Sequence, residues 1–266
     1  MLLTSSLLLI LTVILSLLRL DKIRQFRRLE EIQRHIVEQH QQSVAASKPT
    51  FDCLPSFQEK WITIPDFLPS ETFQALQEQA LTCQLTERSY LPGHKKGGTI
   101  AYEKLHSLAP KLVAFYQSAE LRALCSRIIG EAVVPTPIHD QSSCSLLFYE
   151  KPDDHIGWHY DYNFYHGRHF TALLPIVNQS TEDDRLSSAK LVIKTGGQDI
   201  VIPTPPNSLV LFEGAHIYHK VTPLGHQERR ILLSMTFCTN PQTSLIKNQI
   251  RRIKDTAYFG IRALWT

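Results

Sequence analysis

The chain has 266 residues, 43% of them hydrophobic and 20% charged, with a formal net charge of +3. This is the balance of a globular protein with room for one large or two small domains, and so mild a charge gives no argument for a nucleic-acid partner. The cysteines (Cys53, Cys83, Cys125, Cys144 and Cys238) are odd in number and contain no C-x-x-C pair, which argues against a zinc ribbon and a disulfide framework. Reduced, mostly buried thiols fit best, and with them a reducing compartment.

Taken in chain order, the first segment is "MLLTSSLLLILTVILSLL", with no charged side chain over residues 1–18. As a helix it spans about 27 Å, close to the ~30 Å hydrocarbon core of a bilayer. Arg19, Lys22, Arg24, Arg27 and Arg28 follow it, whereas a cleaved secretory signal carries its positive charge before the apolar run. The pattern predicts a retained transmembrane anchor over 1–20, with a cleaved signal and a buried helix as alternatives. The positive-inside rule then places the bulk of the protein on the cytoplasmic side. Residues 21–50 read as a helical stalk, with Ile23, Phe26, Leu29, Ile32 and Ile36 at helical spacing.

The globular part is predicted to begin near residue 51 and run to 240. "WITIPDFLP" reads as a strand closing in a turn, "SETFQALQEQALTC" as a helix opened by Ser70, and residues 107–129 as helical. From 143 the character changes to eight short apolar runs: "CSLLFYE", "IGWHYDY", "FTALLPIV", "AKLVIKTGG", "DIVIPTP", "SLVLFEG", "YHKVTPL" and "RRILLSMTF". Turn residues between them argue for a sandwich or small barrel. Residues 241–266 predict an amphipathic basic helix with Ile246, Ile250, Ile253, Ala257, Ile261 and Leu264 on one face. Its basic side chains and Trp265 suit a second contact with the same membrane surface; packing on the domain through the aliphatic face is the alternative.

Within the β-rich part, "GWHYDYNF" sets His159 and Asp161 two apart, so on a strand both point to one face and can meet one cation. A histidine from "LVLFEGAHIYHKVTPL", either His216 or His219, would complete two imidazoles and a carboxylate. That set leaves three positions of an octahedral ion open, as in the non-haem Fe(II) oxygenases.

Together, "FYEKPDDHIGWHYD", "RHFTALLPIVN", "PPNSLVLFEGAHIYHKVTP" and "RRILLSMTF" resemble the Fe(II)/2-oxoglutarate dioxygenases of the prolyl 4-hydroxylase-like group. The likeness covers residues 142–239, and more loosely the helix-rich part from residue 60. It implies an α+β fold with a double-stranded β-helix (jelly-roll) core and N-terminal supporting helices. It also implies His159, Asp161 and His219 as iron ligands, His219 because it opens "HKVTP". Tyr149 matches a tyrosine on the 2-oxoglutarate carboxylate, with cross-strand packing as its alternative role.

The distal carboxylate of 2-oxoglutarate needs a cation, and bidentate pairing explains the use of arginine. Arg229 and Arg230 both fall at the right spacing. Arg230 shares its strand face with Leu232, Ser234 and Thr236, a mixed lining that favours it, but Arg229 stays open. Arg168 and Thr171 match a family strand whose inward side chains line the pocket, which implies Thr171 as a 2-oxoglutarate-binding candidate, with a structural strand role as the alternative for both. His155, His166, His169 and His226 read as turn or rim residues, and Tyr160, Tyr162, Asn163 and Tyr165 as packing aromatics and their neighbours with possible substrate contact.

The activity implied is C–H hydroxylation of a peptidyl (prolyl-like), lipid or small-molecule substrate. Oxygen and 2-oxoglutarate are consumed to succinate and carbon dioxide, with ascorbate as a candidate reductant. Related halogenases lose the carboxylate that Asp161 supplies. A zinc-dependent hydrolase using the same three side chains and a non-catalytic β-helix binding module are the competing classes.

Overall fold

In the computed structural model the described residues are 2–45, 55–83, 87–91, 94–182 and 185–259. Helix α1 (Leu2–Ala45) is continuous through the expected anchor and into the expected stalk. Most side chains of residues 1–18 lie outside the described residues, as do residues 46–50. Among the described residues no helix is long and apolar enough to cross a membrane, so the structure lends the transmembrane helix no support. Beyond Leu20 the helix lies against the globular domain. Ile36 is buried in the main core, Gln33 Oε1 accepts from the Tyr102 hydroxyl at 2.6 Å, and Phe26 meets the His139 ring edge-on.

Strand β1 (Trp61–Ile64) and helix α2 (Ser70–Thr82) come next. Ser70 does not cap α2: Pro69 stands at the cap and its carbonyl accepts from Phe73 N at 3.0 Å. Strands β2 (Glu87–Leu91) and β3 (Lys95–Ile100), which the sequence did not signal, form a hairpin. The helical stretch 107–129 is divided among α3 (Tyr102–Leu108), α4 (Pro110–Gln117) and α5 (Ala119–Ile129). Pro110 has no N–H to continue α3 but suits a first helical turn. Ser118 then starts α5 by accepting from Leu121 N at 3.2 Å, and Gly130 ends it at φ 76°.

After the short β4 (Val134–Pro135), all eight apolar runs form strands: β5 (Cys144–Tyr149), β6 (His155–His159), β7 (His169–Ser180), β8 (Leu191–Thr195), β9 (Gln198–Ile202), β10 (Leu209–Phe212), β11 (Tyr218–Val221) and β12 (Glu228–Cys238). Every pairing is antiparallel, in the order β1-β10-β7-β12-β5-β3-β6-β11-β8-β9, with β2 on β3 and β4 on β12. This is the nearly closed barrel of a jelly roll, with β3 joining the two halves through Lys95↔Ile156 and Lys96↔His155.

Strand alternation divides the interior. On β12, Ile231, Leu233, Met235 and Phe237 pack with α3, α4 and α5 in one core. Arg230, Leu232, Ser234 and Thr236 face a cavity inside the barrel. On β7, Phe170, Ala172 and Leu174 take the helix side and Thr171 and Leu173 the cavity side. Each large side chain buried on the helix side contributes about 1.5–3 kcal/mol, which fixes the register of the inner face.

Helix α6 (Leu245–Phe259) docks by its polar side, not by the aliphatic face whose packing is the alternative to a membrane contact. Leu245 is 84%, Ile246 75% and Ile253 67% exposed, while Arg251 and Asp255 are buried. The wall it meets is polar. Arg251 Nη1 donates to His139 O at 2.6 Å and to Asp255 at 2.7 Å, Lys254 Nζ to Ser142 Oγ at 2.7 Å, and Lys247 Nζ to Tyr165 O at 3.0 Å. An isoleucine face would have left those acceptors unpaired. Ile261 and Leu264 lie outside the described residues.

Candidate active site

His219 and His159 are directly paired across β11 and β6, so their imidazoles stand side by side with ring centroids 4.1 Å apart. Asp161 follows β6 by two residues, its N–H bonded to Gly214 O at 3.0 Å. Its Oδ1 lies 3.7 Å from His159 Nε2 and 3.9 Å from His219 Nε2. One ligand atom from each of the three lies within 4.8 Å of the others, as one metal ion requires.

The surrounding bonds aim these atoms inward. His159 Nδ1 is 2.8 Å from Gly157 O and His219 Nδ1 2.9 Å from Ile217 O. A carbonyl accepts only from a protonated Nδ1, so both Nε2 lone pairs face the shared centre. Burial, then His219, holds the His159 imidazole down to about 4, in the neutral form a metal binds. Burial would raise the Asp161 carboxyl, but His219, His159 and the Thr171 hydroxyl outweigh it and hold it below its usual range. Thr171 Oγ1 donates to Asp161 Oδ2 at 2.6 Å, leaving Oδ1 for the ion. A Cβ at Gly214 would collide with the Asp161 side chain.

The centre opens into a cavity of about 370 Å³ inside the barrel. Arg230 is fully buried there, with Nε, Nη1 and Nη2 all lacking a hydrogen-bond partner. Its guanidinium lies 5.3 Å from the ring centroid of Tyr149, the residue opposite it on β5. Burial lowers the Arg230 pKa, with Tyr149 acting against it.

The other candidates are placed elsewhere. Arg229 pairs with Glu150 at 2.8 Å, half exposed, and does not line the cavity. Arg168 also turns away, its Nε and Nη2 on Glu213 at 3.0 and 2.9 Å. His216 is more than half exposed and 3.3 Å from Glu213 in the turn before β11. Tyr160 and Tyr162 line the mouth and are each 55% exposed.

Sequence reasoning missed part of the lining. His94, Lys95, Lys254 and Tyr258 form a second wall, and His169 is buried in the cavity rather than at a rim. β3 and α6 reach the cavity only through sheet closure and helix docking; local pattern carries no signal of either.

A family model described as Halogenase D matches residues 54–166, less than half of the chain. No curated protein matches it. Among solved structures, an oxidoreductase of the 2OG-Fe(II) oxygenase family from Burkholderia pseudomallei superposes with a TM-score of 0.55 at 12% identity, over 71% of this chain and 89% of that one. The prolyl hydroxylase from Trichoplax adhaerens, in complex with a hypoxia inducible factor oxygen degradation domain peptide fragment, gives 0.52 at 15%, over 81% and 92%. HygX from Streptomyces hygroscopicus, with nickel, 2-oxoglutarate and hygromycin B bound, gives 0.50 at 10%, over 67% and 82%. The fold is therefore that of the 2OG-Fe(II) oxygenases.

Proposed function

We propose that the chain is an Fe(II)/2-oxoglutarate-dependent oxygenase that hydroxylates a C–H bond. The observation that carries this is one cavity holding the convergent His159, Asp161 and His219 together with Arg230, a buried guanidinium without a partner. His159, Asp161 and His219 would hold the metal through Nε2, Oδ1 and Nε2. Arg230 would take the distal carboxylate of 2-oxoglutarate, with the Tyr149 hydroxyl beside it. Fe(II) and 2-oxoglutarate supply the oxidising chemistry when bound, consuming oxygen and releasing succinate and carbon dioxide.

The chain's own residues do the positioning. Gly157 and Ile217 carbonyls fix the histidine tautomers, Thr171 orients the carboxylate, and apolar residues such as Leu173, Phe212 and Val221 keep water from the centre. A zinc hydrolase would use the three ligands but give the unpaired Arg230 no task. Halogenation, suggested by the Halogenase D match, needs a halide where Asp161 already presents a carboxylate.

The test is succinate release from 2-oxoglutarate by iron-loaded protein offered peptidyl, lipid and small-molecule substrates. His219→Ala should fall to background while His216→Ala retains turnover; the reverse would reassign the distal ligand.

The N-terminal run supports a further reading, that residues 1–18 anchor the chain in a membrane with the barrel on the cytoplasmic side. Two observations bear on it. Phe26 of α1 and Arg251 of α6 meet at the same residue, His139. On its outward side α6 carries an exposed aliphatic stripe of Leu245, Ile246, Ile250 and Ile253. A lipid surface receiving α1 would cover it.

A further inference from the structure

Apart from the metal set, the charged side chains that line the cavity are Asp140, Lys254, Arg230 and Lys95. Arg251 and Lys254 meet Asp255 at 2.7 and 2.9 Å, and Lys254 lies 4.0 Å from Asp140. Two lining cations have no acidic partner among the described residues: Arg230 and Lys95. Arg230 is accounted for by 2-oxoglutarate. Lys95 is not.

Lys95 is only 6% exposed. Its Nζ donates to Thr99 Oγ1 at 3.2 Å and stands 4.7 Å from the Tyr258 ring centroid. An ammonium has three N–H groups, so these contacts leave one unused. Tyr258 OH is 2.7 Å from His94 Nε2, and the His94 ring meets the His159 ring edge-on at 5.6 Å. Lys95 is thus separated from a metal ligand by two aromatic side chains, on the wall built by β3 and α6. Arg230 belongs to the wall built by β12 and β5.

A buried ammonium without a counter-charge is costly, and here burial, then Lys254, lowers its pKa to about 7. An anion entering the cavity would supply the missing charge. Resting on the oxygenase reading above, we infer that Lys95 anchors an anionic group, a carboxylate or a phosphate, on the primary substrate. The substrate then lies between this anchor and the metal, with Tyr160 and Tyr162 at the mouth.

The experiment uses the full chain, loaded with Fe(II) and saturated with 2-oxoglutarate under anaerobic conditions. Inorganic phosphate and acetate are titrated in by calorimetry at constant ionic strength. Saturable binding of either is expected, phosphate alone marking a phosphorylated substrate and acetate alone a carboxylic acid. Lys95→Met should weaken it about tenfold or more while 2-oxoglutarate still binds; Arg230→Met should lose 2-oxoglutarate.

If neither anion binds the wild-type chain while 2-oxoglutarate does, the anchor is refuted, whether or not the variants fold. Undiminished anion binding by folded Lys95→Met refutes it too. Failure of the wild type to bind iron and 2-oxoglutarate would overturn the oxygenase reading instead, and the anchor with it.

Discussion

Arg229 and Arg230 are neighbours in sequence with opposite fates, decided by strand alternation. Arg230 is fully buried without a partner, and Arg229 pairs with Glu150 at the margin. Arg230→Ala should raise the apparent 2-oxoglutarate constant by the equivalent of about 3–5 kcal/mol, with little change in iron affinity. Arg229→Ala removes a half-exposed pair worth about 1 kcal/mol at most and should leave that constant alone. Titration of both variants with 2-oxoglutarate and with iron checks this, and a shift confined to Arg229→Ala would exchange their roles. The period of two made Arg230's companions on β12 readable before any coordinates, and the H-x-D spacing did the same for His159 and Asp161. His94, Lys95 and His169 were not readable in this way. Their chemistry comes from what faces them across the barrel, which no local pattern encodes.

At the scale of elements, the eight strand runs could be read from their sequence, because each alternates or stays apolar between turn residues. The hairpin of β2 and β3 could not: "KKGGTI" has the composition of a turn, and only pairing with β5 and β6 makes it a strand. α6 is a different case: its helical period is clear, but the period alone leaves the aliphatic face free to meet either a membrane or the domain. The polar wall around His139, Asp140 and Ser142 decides which side docks, drawing in Arg251, Lys254 and Asp255. Arg251→Ala would take one of two cationic partners from the buried Asp255, which keeps Lys254 at 2.9 Å, and would leave His139 O without its donor, a loss of about 1–3 kcal/mol. Hydrogen exchange should show protection falling across residues 245–259 while β5, β7 and β12 keep theirs. Unchanged protection would mean that other contacts hold the helix.

For the molecule as a whole, the question is what faces the aliphatic stripe of α6. Leu245, Ile246 and Ile253 each forgo about 1.5–3 kcal/mol by remaining in water. Basic side chains of α1, each worth about 1 kcal/mol beside an anionic leaflet, include the exposed Arg24, Arg27 and Arg28. An environment-sensitive dye on Ile253→Cys, introduced into the full chain, should shift to the blue on anionic vesicles. The shift should shrink on neutral vesicles and at high salt. No shift on any vesicle would remove α6 from the membrane surface and leave the N-terminal run as the only argument for attachment.

Gly214 carries a consequence out of proportion to its size. It holds no ligand atom, yet the space its missing side chain leaves is where Asp161 lies. Any other amino acid at this position would compete with the carboxylate for the same volume, so mutational tolerance there should be close to nil. The absence of a side chain thereby keeps open the place of the carboxylate proposed as a metal ligand, and a single methyl group is enough to close it.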